Sequence, residues 1–130
     1  MLGSIVHFLF DQPDLGLRIL GWLVAGIAAL VAGGCVFYHV RLWWALRTRG
    51  WTVEHSGRDR IVYRERVRDR LEDCQLDGEM LMGTPHHVIY VPSQAGWEYT
   101  APAWARGRRE EIVARIRSRL REPGYEYAFG

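Results

Sequence analysis

The sequence predicts an α+β protein: a single N-terminal transmembrane helix followed by a small antiparallel sheet with one amphipathic helix. Three observations carry this expectation. Residues 19–38, ILGWLVAGIAALVAGGCVFY, run for twenty positions without a formal charge. The first 46 residues hold only Asp11, Asp14, Arg18 and Arg41 as charged groups, and the remaining 84 hold nearly all the others. Such a step separates a membrane segment from a water-facing region. Beyond residue 50, short alternating segments rich in β-branched and aromatic side chains precede one stretch of helical period. The expected divisions are an interfacial segment over 1–16, a transmembrane helix with its aromatic and arginine flank over 17–46, and a cytoplasmic α+β domain over 51–130.

The first ten residues, MLGSIVHFLF, are apolar but too short to span a bilayer. They read as a short interfacial helix broken at DQPD, with Asp11 as a helix cap ahead of Pro13. His7 reads as an interfacial side chain there rather than a ligand. The twenty-residue run then covers about 30 Å as a helix, the thickness of a hydrocarbon core. A helix is the form in which one isolated segment satisfies its own backbone in lipid. Trp22 sits near one end, and Phe37, Tyr38, Trp43, Trp44 and Trp51 lie near and beyond the other, in the manner of an aromatic belt.

Val31 to Cys35, VAGGC, also has the form of a lipoprotein cleavage site. Three features oppose that reading. The preceding region holds two acids and one arginine where a signal peptide is basic. The apolar run exceeds a signal peptide core. The chain also stays apolar after Cys35, in VFYHVRLWWAL. A retained anchor is expected instead. Asp11, Asp14 and Arg18 precede it, while Arg41, Arg47, Arg49, Arg58 and Arg60 follow. The arginine excess predicts the N-terminus outside and the C-terminal domain in the cytoplasm of an inner membrane. Arg41, Arg47 and Arg49 are the expected contacts with its anionic surface. Within the span, Gly21, Ala25, Ala29 and Gly33 recur every four residues along one ridge, a spacing that lets two helices approach closely. A homodimer, or docking to another membrane protein, is the functional expectation for that ridge.

In the remaining chain, WTVEH (51–55) and RIVYRERV (60–67) read as strands joined by a turn at HSGRD. In RLEDCQLDGEMLMG (70–83), Glu72, Cys74 and Leu76 share one face, and Asp77-Gly78 marks a bulge or turn. HHVIYVP (86–92) is a strand ended by Pro92. SQAGWEYTAPAWA reads as an irregular connection. A helix over about 103–121 follows, with Ile112, Val113, Ile116 and Leu120 in one arc. Glu110 and Glu111 lie early in it, and Arg117, Arg119 and Arg121 late, matching the helix dipole. YEYAF (125–129) closes the sheet.

The net charge is +2, and all 17 basic residues are arginine. That balance, with no recognition motif, argues against nucleic acid as a partner. The arginine bias reads as the base composition of a GC-rich bacterial genome. Arg58 to Arg70 alternates with Asp59, Glu65 and Asp69, the pattern of a solvated hairpin with cross-strand pairs. Cys35 and Cys74 lie in different regions, so no disulfide is expected. His55, Cys74, His86 and His87 raise the question of a metal. Adjacent His86 and His87 point to opposite strand faces, so only one could join a site, and no metal or other cofactor is expected. Cys74 with a histidine lacks an orienting third group. No nucleophile elbow or glycine-rich phosphate loop is present, so a non-catalytic chain is expected. A small enzyme using Cys74 and His87 is the weakest alternative.

IVYRERVRDRLEDCQLDGEMLMGTPHHVIYVPSQAGWEYTAP, followed by RREEIVARIRSRLREPGYEY, resembles the immunity protein 74 family of bacterial polymorphic-toxin immunity proteins. The likeness rests on Tyr63-x-Glu65, Gly78-Glu79-Met80-Leu81 before a glycine, Val88-Ile89-Tyr90, Ser93, Trp97, Pro102, the EIVARI helix and Gly124-Tyr125-Glu126. It departs from the family by its membrane anchor and by VRDRLEDC where a tight hairpin belongs. The resemblance implies a domain that binds and neutralises a cognate toxin without catalysis. Met80, Trp97 and Tyr99 are the candidate partner contacts, because aromatic residues and methionine are enriched at interfaces. A structural membrane-assembly factor acting through its transmembrane helix is the runner-up.

Overall fold

The computed structural model describes residues 13–130; the expectations for residues 1–12, including Asp11 as a cap, lie outside the described residues. The chain divides into two compact units, the second being Trp44–Gly130.

Helix α1 runs over Pro13–Thr48. Residues 13–16 already belong to the helix, with Pro13 at its first position, where its missing N–H costs nothing. The helix is long and apolar enough to cross a membrane. Gly50 ends it in the left-handed region, at φ +78°, with its N–H donating to the Leu46 carbonyl at 3.1 Å.

The second unit is α+β. Strands β1 (Trp51–His55), β2 (Arg60–Val67), β3 (Arg70–Met80), β4 (His87–Val91) and β5 (Tyr125–Phe129) form one sheet in sequence order. The first three pairings are antiparallel. The β2–β3 turn is a tight two-residue hairpin: Arg68 and Asp69 both take positive φ, 47° and 65°. VRDRLEDC therefore supplies the hairpin that it was expected to lack. Arg64 and Asp73 sit opposite each other across it, with Arg64 Nε donating to Asp73 Oδ1 at 2.7 Å.

The sheet is mostly antiparallel, as expected; its last pair, β4 and β5, runs parallel. After β4 the chain crosses the sheet through helices and returns to the same end, a path that delivers a parallel strand. SQAGWEYTAPAWA is not irregular either. It forms helix α2 (Gln94–Thr100) and a 3₁₀ turn at Ala103–Ala105. Ser93 caps α2, its hydroxyl accepting from the Gly96 N–H at 3.2 Å. Helix α3 spans Arg109–Arg119 and starts later than expected, because the 3₁₀ turn at Ala103–Ala105 and Gly107 (φ +73°) interrupt the run.

Core residues come from the inward positions of each strand and the arc of α3. Ile61, Tyr63, Cys74, Leu76, Ile89 and Val91 meet Trp97, Ala101, Ala105, Ile112, Val113 and Ile116. Asp77-Gly78 does not turn the chain. There β3 changes partner instead: Arg70–Asp77 pair with β2 and Gly78–Met80 with β4. A Cβ on Gly78 would lie 2.8 Å from the Val88 carbonyl oxygen, a backbone atom that cannot swing aside. Gly78→Ala is expected to destabilise the domain by about 1–3 kcal/mol through this overpacking. A thermal melt that leaves Tm unchanged would contradict the close β3–β4 approach.

Candidate functional site

Two side-chain clusters stand out. The first joins β2 to α3. Strand alternation turns Tyr63 and Glu65 toward the helix, where Arg108 and Arg115 reach them. The Tyr63 hydroxyl donates to Glu65 Oε2 at 3.0 Å, and Arg115 Nη1 donates to Tyr63 Oη at 2.6 Å and Glu65 Oε1 at 3.1 Å. Arg108 Nη2 lies 3.2 Å from Glu65, and both arginines also pair with Glu111. Trp51, Tyr63 and Trp104 stack beside them, with the Arg115 guanidinium over Trp51 and that of Arg108 over Trp104. Burial by itself pushes the Glu65 carboxyl up, but hydrogen bonds from Arg108, Tyr63 and Arg115 outweigh it and hold it below the usual carboxylate range. Every charge here is matched within the cluster, so its chemistry is that of a clamp between sheet and helix.

The second cluster gathers His55, His87 and Tyr125 at one end of the sheet. Their register parity places all three on the core-facing side, in line with Val53, Ile89 and Tyr127. His55 Nε2 and Tyr125 Oη are 2.9 Å apart. The two imidazoles lie 4.8 Å apart between centroids, and His87 stacks on Tyr125 at 5.6 Å. Burial, then the neighbouring His87, lowers the His55 pKa. His87 Nε2 is buried and has no protein hydrogen-bond partner among the described residues. Of the four residues considered for a metal, the structure joins His55 and His87. Cys74 is a core residue whose thiol burial pushes up to about 11, far from a ready thiolate. His86 is exposed, and its backbone N–H donates to the Gly124 carbonyl. Tyr125 carries no local signal as a site residue, and sequence reasoning assigned it only to the closing strand. Among the described residues, no three side chains drawn from His, Cys, Asp and Glu come together.

The candidate partner contacts separate. Tyr99 is 87% exposed on α2, and Met80 is 45% exposed at the end of β3. Trp97 is corrected: it is 2% exposed, and its indole N–H donates to the buried Ala105 carbonyl at 3.0 Å, so it is unavailable as a surface contact. Two positions away on α2 the helix turns Tyr99 outward while Trp97 faces the core. A cleft of about 360 Å³ opens beyond the last β3–β4 pair, lined by Gln75, Asp77, Tyr90, Pro92, Thr100 and Phe129. Arg41, Arg47 and Arg49 are all exposed, and so are Gly21, Ala25, Ala29 and Gly33. No protein-family model, curated protein or solved structure matches this chain.

Proposed function

We propose that this chain is a single-pass inner-membrane protein, with its N-terminus outside and residues 51–130 in the cytoplasm as a non-catalytic module that docks or neutralises a protein partner. The observation that carries the membrane half is the surface of α1. Every residue from Leu17 to Arg41 is exposed, including Trp22, Leu23, Ile27, Leu30, Val31 and Phe37. Soluble monomers rarely expose apolar patches beyond a few hundred Å². Lipid is the solvent that suits this surface. The arginines after the span and the acids before it support the orientation.

The binding half rests on the exposed Met80 and Tyr99 and on the resemblance to toxin-immunity proteins. Reporters fused after Gly130 test the topology: a cytoplasm-dependent reporter is expected to be active, with Cys35→Ala changing nothing. An active external reporter, with a larger product in Cys35→Ala, would make the chain a lipoprotein and overturn this reading. A photo-crosslinking residue at Tyr99 is expected to give a discrete adduct in cells that contain the partner, and its absence at both Tyr99 and Met80 would remove that surface from the assignment. The assembly-factor reading is supported by the small-residue ridge of Gly21, Ala25, Ala29 and Gly33, which is exposed along its length.

A further inference from the structure

We propose that His55, His87 and Tyr125 form a binding site for a divalent transition-metal ion of the zinc class, which would clasp the two ends of the sheet together. Three observations converge. The donors come from three strands, and two of those strands, β1 and β5, are the outer strands of the sheet order. Residues seventy apart in sequence thus meet at hydrogen-bond distance, His55 Nε2 to Tyr125 Oη, 2.9 Å. In a tetrahedral zinc site with bonds of about 2.0–2.1 Å, neighbouring ligand atoms lie about 3.3 Å apart, so this pair opens by a few tenths of an ångström as the ion replaces the shared proton, which the phenol releases to water.

His87 Nε2 supplies the second observation. It is buried with no protein hydrogen-bond partner among the described residues, and a buried ring nitrogen left unpaired costs free energy unless something fills its lone pair or takes its proton. A metal ion is one such partner, and neutral imidazole is the commonest protein ligand for one. The third observation is the ring arrangement. His55 and His87 are 4.8 Å apart between centroids, and both stack near Tyr125, at 5.7 and 5.6 Å. Among the described residues, no arginine pairs with or stacks on any of the three. His55 is exposed, which gives an ion a route in. Two imidazoles and a phenol oxygen suit zinc or copper rather than magnesium or calcium, which select oxygen ligands. Three protein donors leave a fourth position for water.

The consequence is mechanical. With the ion bound, β1 is tied to β4 and β5, and the curled sheet is held closed at the end opposite the Glu65 clamp. This inference is independent of the membrane and partner reading. The test uses the full chain, purified in detergent with a tag that contains no histidine. Thermal melts are recorded with and without Zn²⁺ at about 100 μM, with Mg²⁺ and Ca²⁺ as references. Zn²⁺ is expected to raise Tm by about 5 °C or more, and the other two to leave it unchanged. Co²⁺ is expected to give visible absorption bands of a low-coordinate site. His55→Ala is at an exposed strand end and is expected to keep the fold. It is expected to weaken Zn²⁺ binding at least tenfold, as is His87→Gln, with Tyr125→Phe weakening it less. His7, His39, His86, Cys35 and Cys74 remain in all three variants. A Tm that does not respond to Zn²⁺, or a response of equal size in His55→Ala, would overturn the proposal.

Discussion

Trp97→Ala is expected to unfold most of the domain at growth temperature. The indole is one of the largest fully buried side chains, packed with Ile89, Val91, Ile112 and Ile116 in one cluster. Removing a buried tryptophan costs about 3–5 kcal/mol. A domain of this length has a total stability of about 4–12 kcal/mol, so the loss consumes a large part of it. Trp97→Phe separates two components. It keeps most of the apolar volume but leaves the Ala105 carbonyl, which is fully buried, without its donor. That is expected to cost about 1–3 kcal/mol. Tyr99→Ala, on the outward face of the same helix, is expected to shift stability by less than about 0.5 kcal/mol. Near-ultraviolet circular dichroism with thermal melts checks all three. An unchanged melt for Trp97→Ala would return Trp97 to the list of partner contacts and empty the core of its centre.

The fold was legible where one local signal decides it. A charge-free apolar run needs no tertiary context to be a long helix, and short runs rich in β-branched and aromatic residues such as Ile61-Val62-Tyr63 and Val88-Ile89-Tyr90 read as strands, although Val62 is buried along with both its neighbours. Direction was not legible for β5. YEYAF has the same pattern whether it runs parallel or antiparallel, and only the path through α2 and α3 decides. Helix α2 escaped because seven residues with one buried side chain, Trp97, have no measurable period. Gly78 reads locally as a turn residue, but its requirement is set by a carbonyl on another strand. The histidine cluster illustrates the same limit. His86 lies just before β4, so alternation along the strand places His87 but not His86. That Tyr125 would meet His55 depends on how far the sheet curls, which no short segment encodes.

Glu65→Ala is expected to lower stability by about 2–3 kcal/mol at neutral pH, and the pH dependence identifies the cause. Its carboxylate is the point where β2 and α3 share charge: it accepts from Tyr63, Arg108 and Arg115. Its side chain is 15% exposed, so these bonds are shielded from water more than a surface pair. Breaking a fully buried ion pair costs about 3–5 kcal/mol. Here Arg108 and Arg115 both keep Glu111, so neither charge is stranded and the cost falls below that range. Because the folded carboxyl titrates below its unfolded value of 4.5, its contribution is present above that pH and is lost as pH falls from there through the folded value. Wild type is therefore expected to lose stability below about pH 4.5 faster than Glu65→Ala, and the two curves to converge in acid. The alkaline side carries a second signature. Burial is the largest cause that raises the Tyr63 phenol to about 12, with Glu65 adding to it and Arg115 opposing. A raised phenol stabilises fully below pH 10 and loses that contribution as pH climbs from 10 through about 12. Removing Glu65 leaves Tyr63 facing Arg115 alone, so the alkaline loss still begins near pH 10 but is expected to be smaller and to end at lower pH in the variant. Denaturant titrations from acid to alkaline pH measure both limbs. A cycle combining Glu65→Ala with Arg115→Ala is expected to show coupling of about 1–3 kcal/mol. Strict additivity, with identical acid limbs, would mean that the helix is held by its apolar arc alone.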